Sequence, residues 1–188
     1  MEVFPMNRKN HVQRLCLAAV IAALYAVLTL VLPIPQYGSV QFRLAEAMTV
    51  LPFLFPEAIP GLAIGCFLAN LLGSPYVLDW VFGTLATLLA AIWTSKLHHK
   101  WLAALPPVVC NVLIVGAEIA WFETGFGEGF FAAWAWNGLT VGLGELVCCY
   151  VLGMLLLKVL PMIPSLRERM PVQRRMQLVG EQTAAENL

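Results

Sequence analysis

The chain has 188 residues, of which 60% are hydrophobic and only 12% charged, and its mean hydropathy is +0.79; this excludes an ordinary water-soluble domain and reads as an integral membrane protein. Eleven Lys and Arg balance eleven Asp and Glu, so the net charge of zero says little, and what matters is the side of the membrane each charge occupies. The five cysteines (Cys16, Cys66, Cys110, Cys148, Cys149) lie in apolar segments without metal-ligand spacing, as small core residues would, and not as a disulfide framework.

The first apolar run, 15–32, follows Arg8, Lys9 and Arg14 and carries no cleavage-site pattern, so it predicts a retained helix over about 14–33. Pro33 and Pro35 stop it. Runs at 44–55 and 59–72 predict helices over 43–55 and 58–73, joined by Phe55-Pro-Glu-Ala-Ile-Pro60. Both are short for a span, at about 1.5 Å per residue against roughly 30 Å of hydrocarbon. They either extend into flanking residues or form a hairpin buried among longer helices. A fourth helix over 78–98 ends in Lys96-Leu-His98-His99-Lys100, and a fifth over 101–122 ends in Glu123-Thr-Gly-Phe-Gly-Glu128-Gly. A sixth covers 131–160. The fold class expected is all-α: one membrane domain over 1–165 with six transmembrane helices, then a polar tail over 166–188.

Charge placement sets the expected topology. Arg8, Lys9 and Arg14 precede the first helix, Lys96 and Lys100 link the fourth and fifth, and Lys158, Arg167, Arg169, Arg174 and Arg175 close the chain. With six spans all three clusters fall on one side, which the positive-inside rule makes the cytoplasm, with both termini inside. Arg43 is the exception, on the outer side beside Glu46.

Helical phase then selects candidate site residues, because positions three, four, seven or eleven apart share a face. Arg43 and Glu46 are three apart. On the sixth helix Trp134, Asn137, Val141 and Glu145 form one stripe; Glu118 and Trp121 pair on the fifth, Asp79 and Trp80 open the fourth, and Asn70 lies near the outer end of the third. Together these would enclose an outward-facing polar cavity with aromatic walls. Carboxylates accept paired hydrogen bonds and indoles offer flat apolar faces, so a planar, donor-rich heterocycle suits it, with a second carboxylate available to an amine. The plainer reading makes Arg43 and Glu46 an ion pair anchoring a loop, the tryptophans an interfacial belt, and Glu123 and Glu128 solvated loop acids. Glu118 and Glu145 resist that reading, since they lie deep in apolar sequence where an unpartnered charge is costly.

Ala18, Ala22 and Ala26 form a small-residue stripe on the first helix, suited to internal packing or to docking another membrane subunit. A membrane enzyme is the competing class, yet His11, His98 and His99 all lie in flanking stretches and no helix carries a Glu-x-x-His pattern. A ligand-free assembly protein would account for the alanines while leaving Glu118, Asn137 and Glu145 without a role.

The stretch Val40-Gln-Phe-Arg-Leu-Ala-Glu-Ala-Met-Thr-Val-Leu-Pro52, with Ile59-Pro-Gly-Leu-Ala-Ile-Gly-Cys66, Ala69-Asn-Leu-Leu72 and Val81-Phe-Gly-Thr-Leu-Ala-Thr87, resembles the QueT family of queuosine-precursor transporters. That resemblance implies the substrate-binding S component of an energy-coupling factor importer in a prokaryotic plasma membrane, with an outward site for a 7-deazaguanine such as 7-aminomethyl-7-deazaguanine. Another small vitamin-like or nucleobase ligand is the alternative. The implied partners are a transmembrane T component, engaged by the alanine-rich first helix, and two cytoplasmic ATPases. The chain has no Walker A pattern, so ATP hydrolysis is expected in those partners. No metal, cofactor or nucleic acid is expected. The connection from Pro33 to Phe42 is expected to close over the ligand.

Overall fold

The computed structural model describes residues 8–32 and 42–178, and every regular element among them is helical. In chain order these are α1 (Arg8–Val31), α2 (Leu44–Phe53), α3 (Ala58–Gly73), α4 (Val77–Lys96), α5 (Lys100–Thr124) and α6 (Phe130–Met162). Four stretches are long and apolar enough to cross a membrane: His11–Val31 within α1, and all of α4, α5 and α6. The other two are shorter, at 10 residues for α2 and 16 for α3.

α2 is not an α-helix but a 3₁₀ helix throughout, with Pro52 inside it. At about 2.0 Å rise per residue it still covers roughly 20 Å. A 3₁₀ run this long is uncommon because its hydrogen bonds are poorly aligned. Here Ala45 to Phe53 are all buried, so protein and not lipid surrounds that backbone, the condition under which irregular structure survives at membrane depth. The short run is therefore an enclosed strut.

Glycine brings α1 and α3 together. A Cβ on Gly61 would stand 2.6 Å from the Ala18 carbonyl oxygen, and one on Gly65 would stand 2.7 Å from that of Ala22 and 2.9 Å from Tyr25 Cβ. Gly65→Ala is expected to destabilise the bundle by about 1–3 kcal/mol, as overpacking does, and to lower the midpoint of thermal unfolding in detergent. An unchanged midpoint would show that the helices separate without cost. The same contact uses up part of the alanine stripe: Ala18 and Ala22 are buried under α3, while Ala26 is half-buried and the adjoining Ala19 and Ala23 are exposed.

The segments alternate in direction, so the described ends of the chain meet at one end of the bundle. There Arg14 Nε lies 3.1 Å from Glu57 Oε1, and Gln13, Arg14, Glu57, Glu168 and Arg169 line a small charged cleft. The chain beyond Met162, expected as a polar tail from 166, folds back onto this end as far as residue 178. Met170 is buried in the core, and Arg174 donates to the carbonyls of Ser95 and Leu97 while its guanidinium lies 4.1 Å from the Phe53 ring centroid. Those carbonyls end α4 and lack helical partners, so Arg174 caps α4 and clasps it to α2.

α5 and α6 each widen into a π-helical stretch, Asn111–Val115 and Cys148–Gly153. Such stretches displace side chains from regular α-helical phase and recur at functional sites. One begins at Asn111 and the other three residues after Glu145.

Candidate functional site

The polar residues gather toward the end of the bundle opposite the described termini. Arg43 is the N-cap of α2, and because side chains three apart eclipse in a 3₁₀ helix, it stands over Glu46, with Arg43 Nη1 4.0 Å from Glu46 Oε1. The Tyr25 hydroxyl of α1 donates to that same oxygen in a short hydrogen bond, leaving Glu46 Oε2 without a donor. Thr49 Oγ1 donates to the Glu46 carbonyl at 2.6 Å, and Cys149 Sγ lies 3.5 Å from both that carbonyl and Glu145 Oε2.

Four carboxyl groups from four different helices lie within electrostatic reach of Arg43: Glu46 of α2, Asp79 of α4, Glu118 of α5 and Glu145 of α6. All five residues are between 1% and 7% exposed. An ionised carboxylate in such a place needs a cation, a hydrogen-bond donor or a proton, and one guanidinium serves four of them.

Asn70 and Asp79 form the joint between α3 and α4. Asn70 Nδ2 donates to the Asp79 carbonyl at 2.9 Å and Ser74 Oγ donates to Asp79 Oδ2. Asn70 Oδ1 is buried without a partner, as is Trp80 Nε1. Behind them Thr87 Oγ1 donates to the Gly83 carbonyl at 3.1 Å and lies 3.2 Å from Cys66 Sγ.

Glu118 faces a different surrounding. Its carboxyl lies beside that of Asp79 without a hydrogen bond of good geometry to either oxygen, and it lines a cavity of about 490 Å³ whose other walls include Leu78, Phe82, Trp121, Phe126 and Phe130. The Trp121 and Phe126 ring centroids are 6.5 Å apart, and Phe126 and Phe130 are 5.3 Å apart, so aromatic rings form one side. A carboxyl opening onto aromatic walls can take a planar molecule with adjacent N–H donors. Its size lies within the range typical of small-molecule pockets.

The stripe on α6 divides. Glu145 joins the Arg43 cluster, with the Asn111 amide beside it. Trp134 and Asn137 are instead tied to α5: Trp134 Nε1 donates to the Val112 carbonyl at 3.3 Å and Asn137 Nδ2 to Glu123 Oε2 at 2.8 Å. Glu123, expected as a solvated loop acid, is exposed but lies in the last turn of α5, where it also accepts from a fully buried amide. The sequence reading also passed over Tyr25, Thr49, Asn111 and Cys149. Only Tyr25 carried a usable signal: it lies three residues beyond Ala22 on the alanine face, a phenol within the apolar run 15–28, and a buried phenol needs a partner. The connection expected to close over the cavity falls mostly on residues 33–41, outside the described residues. Among the described residues no group of three or more His, Cys, Asp or Glu is arranged to hold a metal ion.

Comparison with known proteins places these features in context. The family model described as QueT transporter matches residues 15–161, from within α1 to the last turn of α6. The chain is similar to the Queuosine precursor transporter QueT of Lactococcus lactis subsp. cremoris, with 34% identity over 83 residues. That alignment spans 43% of this chain and 48% of the relative, about half the length of each. No solved structure matches.

Proposed function

The chain belongs to the QueT transporter family, and from that premise we propose that it is the substrate-binding S component of an energy-coupling factor importer for a queuosine precursor. The ligand class is a 7-deazaguanine, with 7-aminomethyl-7-deazaguanine the preferred example. The observation that carries this reading is Glu118, without a basic partner in hydrogen-bond contact and opening onto an aromatic cavity next to a cluster with three further carboxyl groups and one guanidinium.

A deazaguanine presents a flat apolar ring system and an edge with adjacent N–H donors. The aromatic walls would take the faces, and a carboxylate would take the edge through two parallel hydrogen bonds. The excess of carboxyl over guanidinium groups favours a ligand that brings positive charge, as an aminomethyl group does. Arg43, Glu46, Asn70, Asp79 and Glu145 form the polar floor, with Trp80, Trp134 and Asn137 framing it from α4 and α6.

In this reading both termini are cytoplasmic and the cavity opens outward, following the distribution of basic residues. The chain has no phosphate-binding loop of its own, so transport draws on a T component and two ATPases. The exposed alanines Ala19 and Ala23, together with half-buried Ala26, mark the face of α1 such a partner would meet; Ala18 and Ala22 support that face through α3. Ligand binding would close the connection through residue 42, and reorientation of the loaded bundle would carry the ligand inward.

Titrating purified protein in detergent with 7-aminomethyl-7-deazaguanine is expected to give saturable tryptophan quenching, since Trp121 lines the cavity. Saturation by another nucleobase or vitamin, with none by deazaguanines, would reassign the substrate. Chemical turnover would make the protein an enzyme, and silence across the panel would leave only an assembly role.

A further inference from the structure

Tyr25 is the largest fully buried side chain among the described residues, and it lies outside every element so far assigned to the ligand. It stands on α1, next to the place where Gly65 of α3 lacks a side chain; a Cβ there would come within 2.9 Å of Tyr25 Cβ. That clearance lets α1 approach closely enough for the phenol to cross to α2. Filling the space between α1, α2 and α3 needs only the ring, which phenylalanine would supply. A hydroxyl in this apolar setting is a cost unless it is paired, and its partner is one specific oxygen, Glu46 Oε1.

The consequence lies at Glu46. The terminal torsion of a glutamate is broad, so a hydrogen bond to one oxygen is what fixes the direction of the other. With Oε1 held by Tyr25 and Arg43 Nη1 4.0 Å from that same oxygen, Oε2 is presented in one direction without a donor. Arg43 in turn feels Asp79, and Glu118 at the aromatic cavity feels Arg43. We propose that Tyr25 is a positioning residue for ligand binding: its hydroxyl fixes the Glu46 carboxylate, and through it Arg43, in the orientation that the ligand meets. This rests on the reading of the chain as a deazaguanine-binding component. It adds α1 to the helices that determine affinity.

The test is a double-mutant cycle on the full chain in detergent, with 7-aminomethyl-7-deazaguanine as the probe and calorimetry as the readout. Tyr25→Phe is expected to weaken binding by about 10-fold, the size of a hydrogen bond to a charged group. In a Glu46→Met background, which removes the acceptor oxygen that a glutamine would keep, the same substitution is expected to change affinity by less than about 2-fold, because a group acting through another loses its effect when that other is gone. A mere packing role predicts the same fold-loss in both backgrounds, and that result overturns the proposal. A second measurement does not depend on the phenylalanine variant folding. With 3-fluorotyrosine placed at position 25, the fluorine resonance is expected to move when the probe saturates the wild-type chain and to stay in place in Glu46→Met, which has no acceptor for the phenol. A resonance unmoved at saturation overturns the proposal while leaving the functional reading intact. Wild-type protein that binds no deazaguanine removes both.

Discussion

Arg43→Met is expected to abolish measurable deazaguanine binding and to cost roughly 3–5 kcal/mol of stability, the loss seen when one partner of a buried charge set is removed. Methionine roughly preserves the length and apolar stem of arginine, so the change removes charge and hydrogen-bond donors more than volume. Four carboxyl groups then share an enclosed region without the guanidinium, and the nearest of them, Glu46, keeps only the Tyr25 hydroxyl as a side-chain donor to its carboxylate. The folded state must either bind extra protons or let water in. Thermal unfolding with and without ligand measures both effects. Arg43→Lys separates them: charge returns, but the planar fork does not, so stability should recover further than affinity. A methionine variant with wild-type stability and affinity would reduce the cluster to a solvated surface pair.

Glu118→Gln is expected to show the opposite pattern, weaker binding with no loss of stability. Neither carboxyl oxygen has a hydrogen bond of good geometry and the Asp79 carboxyl lies beside it, so the amide removes a poorly satisfied acid from a buried position. Leaving a buried acceptor unpaired costs about 1–3 kcal/mol, more for a charged one, and that cost is relieved in the variant. For the ligand the balance reverses. Losing a hydrogen bond to a charged group removes about 1.5–3 kcal/mol, or roughly 10- to 150-fold in affinity. A group that destabilises the empty protein and stabilises the loaded one marks a binding site, and thermal shift against calorimetry exposes that opposition. Wild-type affinity in Glu118→Gln would move the ligand away from the aromatic cavity.

Much of the framework can be read along the chain. All six apolar runs are helical; Pro56 separates α2 from α3, Pro60 sits in the first turn of α3, and the glycines at 125, 127 and 129 separate α5 from α6. The spacing of Arg43 and Glu46 placed them on one face, and the depth of Glu118 and Glu145 in apolar sequence set them apart from ordinary surface acids. These readings succeed because hydropathy, helix breakers and helical phase are local properties of the chain.

Partnerships between helices are of another kind. Trp134, Asn137 and Glu145 share one helical face, yet the first two hydrogen-bond to α5 while Glu145 joins the Arg43 cluster, because the neighbour changes along the length of α6. The 3₁₀ geometry of α2 reflects enclosure on all sides, a condition no window of ten residues contains. Glu123 is exposed, as its place near the Gly125–Gly129 loop suggests, but its bond to Asn137, fourteen positions away, is not visible locally. Tyr25 meets Glu46 across twenty-one positions, at a distance set by how closely Gly65 lets α1 approach.

The solvent, the order of the helices and the small set of charges too deeply placed to be incidental are all legible along the chain. Which of those charges face one another, and which oxygens remain unpaired, emerges only once the helices are packed. The physical reason is that burial is specified residue by residue, while a hydrogen bond across a bundle depends on the rotation and depth of two helices at once.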